Sequence, residues 1–350
     1  MISLPESNRY SRHLLLPQIG EQGQLRFKNA KVLVIGAGGL GCPVLQYLAA
    51  AGIGTIGIVD FDVVDESNLQ RQILYNTADI GQSKAHCAKQ KLSALNPFIT
   101  INSIAEELTV HNALLLLDGY DLVVDGSDNF RTRYLVNDAC VILGKPLVFG
   151  SIYQFEGQVS VFNYRGGPTY RCLYPEPNDI GSCAETGVLG ILPGTIGCLM
   201  ATEALKIVAG TGSVLSGKLL VYDALNASFN SFSFQAVEQN KALKTILPFD
   251  EACDTIPEIN ADALRLKMNS GDPFQLIDVR DQAEFDTRNL SGILIPLKSL
   301  PNNLARIKTD IPVIIYCQRG GRSRKAVQFL LKNGYSNVVS LSHGIEGFMH

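Results

Sequence analysis

The chain has 350 residues, 46% of them hydrophobic and 18% charged, and a formal net charge of −3. That length predicts about two domains, with enough chain to bury cores without disulfide or metal staples. The composition excludes a disordered chain, and the near-neutral charge argues against nucleic acid as the main partner, because phosphate binding leaves a basic footprint.

The N-terminal stretch MISLPESNRYSRHLLL lacks the basic region, apolar core and small-residue cleavage site of a secretory signal, so a cytoplasmic location is expected. Residues 36–59 and 186–202 carry no charge, but Pro43, Pro193 and several glycines interrupt them. They read as buried helix, strand and turn, and no membrane partner is expected.

Residues 31–60 alternate in a βαβ manner: KVLVIGAGG is a strand entering a glycine-rich turn, CPVLQYLAAAG a crossover helix, TIGIVDFD a second strand. DLVVDGSDN holds the fourth strand, KPLVFGSIY and QVSVFNY follow, and KLLVYDA near 218–224 is expected to be the last. The fold class is α/β: a Rossmann-like, mostly parallel sheet with an antiparallel extension after residue 150, plus a small α/β domain. From residue 228 to about 257 no period is evident. The reading is a first domain over 1–235, a linker over 236–256 and a second domain over 257–350. In the second domain FQLIDVR, PVIIYC and SNVVSLS are strands, and KAVQFLLKNGY is an amphipathic helix closed by Gly334.

Eight cysteines are spread along the chain without a C-x-x-C pair, which favours reduced thiols and excludes a C-x-x-C zinc site. Gly36, Gly38, Gly39 and Gly41 form a G-x-G-x-x-G turn between a strand and a helix, where backbone can approach phosphate closely. Asp60 ends the next strand, where a carboxylate can accept from ribose hydroxyls. These features alone favour an NAD-dependent dehydrogenase. DFDVVDESNLQRQ then supplies Asn68, Arg71 and Gln72, GQSKA supplies Lys84, and GSDN supplies Asp128 and Asn129. Cations and a carboxylate beside a nucleotide point instead to triphosphate chemistry.

RYSRHLLL, GAGGLGCP, DFDVVDESNLQRQ, GQSKA, GSDN and CAETGVLG, in this order, resemble the MoeB/ThiF group, relatives of the ubiquitin-activating enzymes, over residues 5–235. The resemblance implies ATP-dependent adenylation of the C-terminal glycine of a small ubiquitin-like sulfur-carrier protein ending in Gly-Gly. It implies that Asp60 holds the ribose, that Arg71 and Lys84 hold the phosphates with Ser67 and Asn68 nearby, and that Asp128, beside Asn129, binds magnesium. Arg12 is expected to reach into the site of a second subunit, which implies a homodimer. Glycine carboxylate attack on the α-phosphate needs no side-chain nucleophile, so His13 and His86 are read as structural or surface residues.

Many members of the group hold zinc on two C-x-x-C pairs. Here Cys172 and Cys253 stand alone, so no structural zinc is expected, and Cys172 is read as a buried relic. Cys183 lies in NDIGSCAETGVLG, a loop before a helix. The matching cysteine of the group can link covalently to the carrier, and a small buried residue is the alternative.

Cys317, Gln318, Arg319, Gly320, Gly321 and Arg322 sit between a strand and a helix start, where backbone N–H groups, the helix dipole and two arginines favour a thiolate. With LIDVR and GILIPL upstream, residues 257–350 resemble a single-domain rhodanese. That implies a persulfide on Cys317 and a structural role for Asp278 and Arg280. A cysteine phosphatase uses the longer C-x5-R loop, and this loop is C-x4-R. An inactive, purely structural rhodanese domain is the bland alternative.

An adenylated carboxylate is an electrophile and a persulfide a nucleophile, so tethering them raises their effective concentration. The expected product is a thiocarboxylate for molybdopterin, thiazole or tRNA thiolation. Thiosulfate or a cysteine desulfurase is the expected sulfur donor, and Cys183 is expected to form or resolve an acyl-disulfide. A ubiquitin-like conjugation enzyme with the rhodanese domain as a docking module is the competing reading.

Overall fold

The computed structural model describes residues 1–175, 187–246 and 256–349. The chain divides into two compact units, Met1–Phe249 and Asp250–His350.

The first unit is built on an eight-stranded sheet: β1 (Lys31–Ile35), β2 (Thr55–Val59), β3 (Thr100–Ile104), β4 (Leu122–Asp125), β5 (Leu147–Tyr153), β6 (Glu156–Phe162), β7 (Lys218–Asp223) and β8 (Ser228–Ser233). Their order is β3-β2-β1-β4-β5-β6-β7-β8. The first five pair in parallel and the last three are added antiparallel. Alternation along β1 divides the interior in two. Val32 and Val34 face one core with the helices Gly41–Ala51, Lys84–Leu95 and Ile191–Ala209, while Leu33 and Ile35 face the other with Ala113–Asp118 and Phe130–Leu143. A strand buried on both faces must be apolar throughout, which is why KVLVI reads so clearly.

The helix Ile191–Ala209 is long and apolar enough to cross a membrane by length and composition. In this unit it packs on β5, β6 and the helix Gly41–Ala51. Its one acidic residue, Glu203, is buried, accepts the Leu215 N–H at 2.9 Å and pairs with Lys206.

Two expectations need correction. β7 is not the last strand, because β8 pairs with it along its whole length. The segment SFNSFS is exposed at five of its six positions, so it has no buried apolar run to betray it. The expected linker also starts as docked chain: residues 238–241 form a helical turn, and Asn240 donates to the Arg171 carbonyl at 3.0 Å.

The second unit has a five-stranded parallel sheet: β9 (Glu258–Ile259), β10 (Gln275–Asp278), β11 (Ile293–Leu294), β12 (Val313–Tyr316) and β13 (Val338–Leu341), ordered β11-β10-β12-β13-β9. Val313 and Ile315 face one core with the helix Gly321–Lys332, and Ile314 and Tyr316 face the other with Leu264 and Ile345.

Candidate active sites

In the first unit the sheet order reverses between β1 and β4. A crevice opens there beyond the strand C-termini, as expected at a switch point. Its cavity is about 380 Å³, and Gly36, Gly38, Gly39, Asp60, Ser67, Arg71, Lys84, Asp128 and Asn129 all line it. Gly41 does not line it and acts through packing: a Cβ there would stand 1.9 Å from the Gly36 carbonyl oxygen, so only glycine lets the helix start this close to the strand. Asn68 does not line it either. Its side chain accepts the Asp65 N–H at 3.3 Å and closes the turn that presents Ser67.

Asp60 holds the glycine turn in place. One carboxylate oxygen accepts the Ala37 N–H at 2.7 Å and the other the Asp62 N–H at 2.9 Å. Burial pushes this carboxyl up, and those N–H groups and Lys84 only partly offset the rise. Lys84 opens the helix Lys84–Leu95, which Ser83 caps by accepting the His86 N–H at 3.4 Å; the Lys84 side chain is 7% exposed and its Nζ lies 3.0 Å from Asp62. Arg71 Nη1 donates to the Ser67 carbonyl at 3.0 Å. Tyr75 ties the two cationic segments to the turn, its hydroxyl donating to the Ala37 carbonyl at 2.8 Å and lying 3.3 Å from that of Lys84. Asp128 is exposed, and Asn129 caps the helix Phe130–Leu143 by accepting the Thr132 N–H at 2.8 Å. Arg12 is exposed on the helix Ser11–Leu14 and does not line this crevice. His13 binds Gln24 at 3.1 Å and stacks edgewise on Phe27, and His86 is exposed.

Sequence reasoning missed three residues here. Asp125 is fully buried at the end of β4, and Ser127 and Arg133 line the crevice just beyond it. The available signal was a carboxylate closing an otherwise apolar strand, followed by glycine. Among the described residues, four buried side-chain atoms lack a hydrogen-bond partner: Gln72 Oε1, Asp125 Oδ2, Ser127 Oγ and Arg133 Nε.

In the second unit Cys317 directly follows β12 and is 1% exposed. Its Sγ accepts the Gly320 N–H at 3.1 Å, at the start of the helix Gly321–Lys332, and Ser323 Oγ lies 3.6 Å away. The loop arginines were expected to present their charge to the sulfur. Both are instead paired with carboxylates: Arg322 is bidentate to Glu284 at 2.7 Å on each arm, and Arg319 Nε lies 2.9 Å from Glu346. The Arg322 contact holds the Glu284 carboxyl down at about 2. Gln318 accepts from Arg280 at 2.9 Å and donates to Glu346 at 2.9 Å. Asp278 and Arg280 form a buried pair at 2.8 Å beneath the loop. A second cavity, about 460 Å³, opens beside Arg280, Glu284, Gln318 and Glu346.

Cys172 is half-buried rather than fully buried. Its sulfur accepts the Val237 N–H at 3.2 Å and the Thr169 N–H at 3.4 Å, tethering the chain that follows β8. Burial raises its thiol, but these N–H groups and the Thr169 hydroxyl outweigh that and draw it down. Among the described residues no three His, Cys, Asp or Glu side chains cluster to hold a metal. Cys183 and Cys253 lie outside the described residues.

The crevice and loop therefore define a doubly wound nucleotide-binding unit followed by a small cysteine-bearing α/β unit. The chain belongs to the ThiF family, whose profile matches residues 10–244, and the rhodanese-like domain profile matches residues 260–350. Over 364 aligned residues it is 47% identical to the probable adenylyltransferase/sulfurtransferase MoeZ of Mycobacterium tuberculosis, covering 98% of this chain and 93% of that protein. It is 57% identical over 236 residues to the sulfur carrier protein adenylyltransferase of Thermus thermophilus, covering 65% of this chain and 87% of the relative. It is 41% identical to the adenylyltransferase and sulfurtransferase MOCS3 of Sus scrofa, covering 94% and 82%. The solved structure of E. coli MccB with ATP shares the fold, with a TM-score of 0.59 at 22% identity over 67% of this chain and 73% of that one.

Proposed function

We propose that this enzyme adenylates the C-terminal glycine of a ubiquitin-like sulfur-carrier protein and then converts the acyl-adenylate to a thiocarboxylate with sulfur carried on Cys317. One observation carries the reading: a single chain holds both the cation-lined crevice at the β1–β4 switch point and a buried thiol at a helix N-terminus. The similarity to MoeZ and MOCS3, both named as adenylyltransferases and sulfurtransferases, spans both units.

In the first step a carboxylate oxygen of the terminal glycine attacks the α-phosphorus of ATP, and the bond to pyrophosphate breaks. Asp60 and the glycine turn orient the nucleoside end, while Arg71 and Lys84 neutralise charge that builds on phosphate oxygens. Lys84 must exchange Asp62 for phosphate, which its fixed position makes a short movement. Asp128 is an exposed crevice carboxylate that would hold magnesium. One carboxylate suffices because the cation takes its other ligands from phosphate and water, and it would neutralise phosphate charge. In the second step the Cys317 persulfide attacks the acyl carbon and AMP leaves, forming an acyl-disulfide. Attack of the Cys183 thiolate on the Cys317 sulfur would release the thiocarboxylate and leave a disulfide for external thiols to reduce.

Arg12, exposed and away from this crevice, fits a homodimer in which it serves the partner's site. Thiosulfate or a cysteine desulfurase would load Cys317. Molybdopterin, thiazole or tRNA thiolation would use the product, in the cytoplasm and without structural zinc. The test is mass analysis of a purified carrier ending in Gly-Gly after incubation with ATP and sulfur donor. Wild type should yield thiocarboxylate, and Cys317→Ser should stop at the adenylate. Thiocarboxylate formed at the normal rate by Cys317→Ser would overturn the role of Cys317.

A further inference from the structure

Most of the features that fit a nucleotide lie on one flank of the crevice; Asp128 and Asn129, which would meet its magnesium, follow β4 on the other. Asp60 ends β2, the glycine turn follows β1, and Arg71 and Lys84 belong to the chain after β2. In the sheet order the opposite flank is β4 and β5, and there the crevice is lined by Ser127, Arg133 and Ile152. If a nucleotide occupies the first flank, the second substrate must approach along the second.

Arg133 is 7% exposed and held rigidly. Its guanidinium lies over the rings of Phe130 and Phe149, at 5.4 and 5.5 Å from their centroids, and Nη2 donates to the Ser127 carbonyl at 3.2 Å. Asp125 fixes Ser127 from below by accepting its N–H at 2.9 Å. Yet Arg133 Nε and Ser127 Oγ, both on this flank, have no hydrogen-bond partner. A buried guanidinium and a buried hydroxyl left open beside a cavity are costly unless a ligand completes them. Burial pushes the Asp125 carboxyl up, against the opposing pull of Ser127 and Arg133.

We infer that Arg133 and Ser127 form a carboxylate subsite that holds the C-terminal carboxylate of the carrier tail before it attacks the nucleotide. The inference rests on the adenylation reading and assigns the group that recognises the acyl substrate. A planar fork beside a hydroxyl matches a carboxylate better than a point charge would.

The experiment uses the full chain with a non-hydrolysable ATP analogue and a carrier protein ending in Gly-Gly, prepared with its free C-terminal carboxylate and as the C-terminal amide. Affinities are measured by calorimetry. Wild type should bind the free carboxylate at least about tenfold more tightly than the amide, the scale of one charge-assisted hydrogen bond. Arg133→Gln should erase that preference and Ser127→Ala should reduce it, with affinity for the ATP analogue alone unchanged. Analogue affinity also serves as the folding control, and Arg133→Lys covers the case in which the glutamine variant does not fold. Its retained charge without the planar fork should give an intermediate preference. A preference kept at its wild-type size in the folded variants would overturn the subsite. So would weakened binding of the ATP analogue by a folded Arg133 variant, since that places the residue on the nucleotide. Failure of wild type to bind either carrier form would overturn the adenylation reading itself, a result distinct from both.

Discussion

At the switch point Gln72, Asp125, Ser127 and Arg133 each keep a buried polar atom without a partner, whereas around Cys317 the two loop arginines both rest on carboxylates. The crevice must receive a large, highly charged ligand, and unpaired buried groups of roughly 1–3 kcal/mol each are tolerable where a ligand supplies the missing bonds. The loop must hold one sulfur. Its anion site is backbone, the Gly320 N–H and a helix start, and its arginines brace it against the helices Gln282–Thr287 and Gly344–Met349. One site is built to be completed by substrate and the other is complete in itself. Substitutions in the crevice should therefore change activity at nearly constant stability, and substitutions around the loop should change stability first.

The largest expected effect is on stability. Arg280→Met strands the Asp278 carboxylate at 0% exposure and should destabilise the rhodanese unit by about 3–5 kcal/mol. Thermal unfolding of the full chain reads this, and pyrophosphate exchange by the first unit should be unaffected. Next comes Lys84→Ala, which should lower exchange by roughly 10²–10³-fold with the melting profile nearly unchanged. A large stability loss with normal exchange would break the contrast between the sites. A smaller effect separates the loop braces by pH. Glu284 has its folded pKa at about 2, below the ordinary 4.5, so its contribution is present above about pH 4.5 and lost as pH falls toward 2. Melting temperature of wild type should drop more steeply across that window than that of Glu284→Gln. The pair is a third exposed, so solvent screening limits the difference to about 1 kcal/mol. The smallest effect belongs to Arg319→Ala, within about 0.5 kcal/mol by chemical denaturation, because that ion pair is largely solvated.

Legibility in the sequence followed burial. β1, β2, β4 and β12 are short apolar runs because they are covered on both faces, and the glycine turn was readable because strand, turn and helix are contiguous. β8 was missed because its alternation never meets a core. The partners of the loop arginines were invisible for another reason: Glu284 and Glu346 come from other elements, and no local spacing links them to Arg319 or Arg322. Arg133 was hidden inside the helix Phe130–Leu143, where a basic residue looks like ordinary surface until the sheet order places it over Phe149. Cys172 was read as a relic because it stands alone where a zinc pair would be; its tether to Val237 was hidden because that residue lies far along the chain, in a stretch taken for linker.

The most direct test of the central claim is ATP–pyrophosphate exchange by the full chain with a purified carrier ending in Gly-Gly. Exchange that requires the carrier, and that Asp128→Ala abolishes while Cys317→Ser leaves intact, is the predicted result. Carrier-independent exchange, or exchange lost in Cys317→Ser, would contradict a crevice that activates the carrier independently of the sulfur-bearing loop.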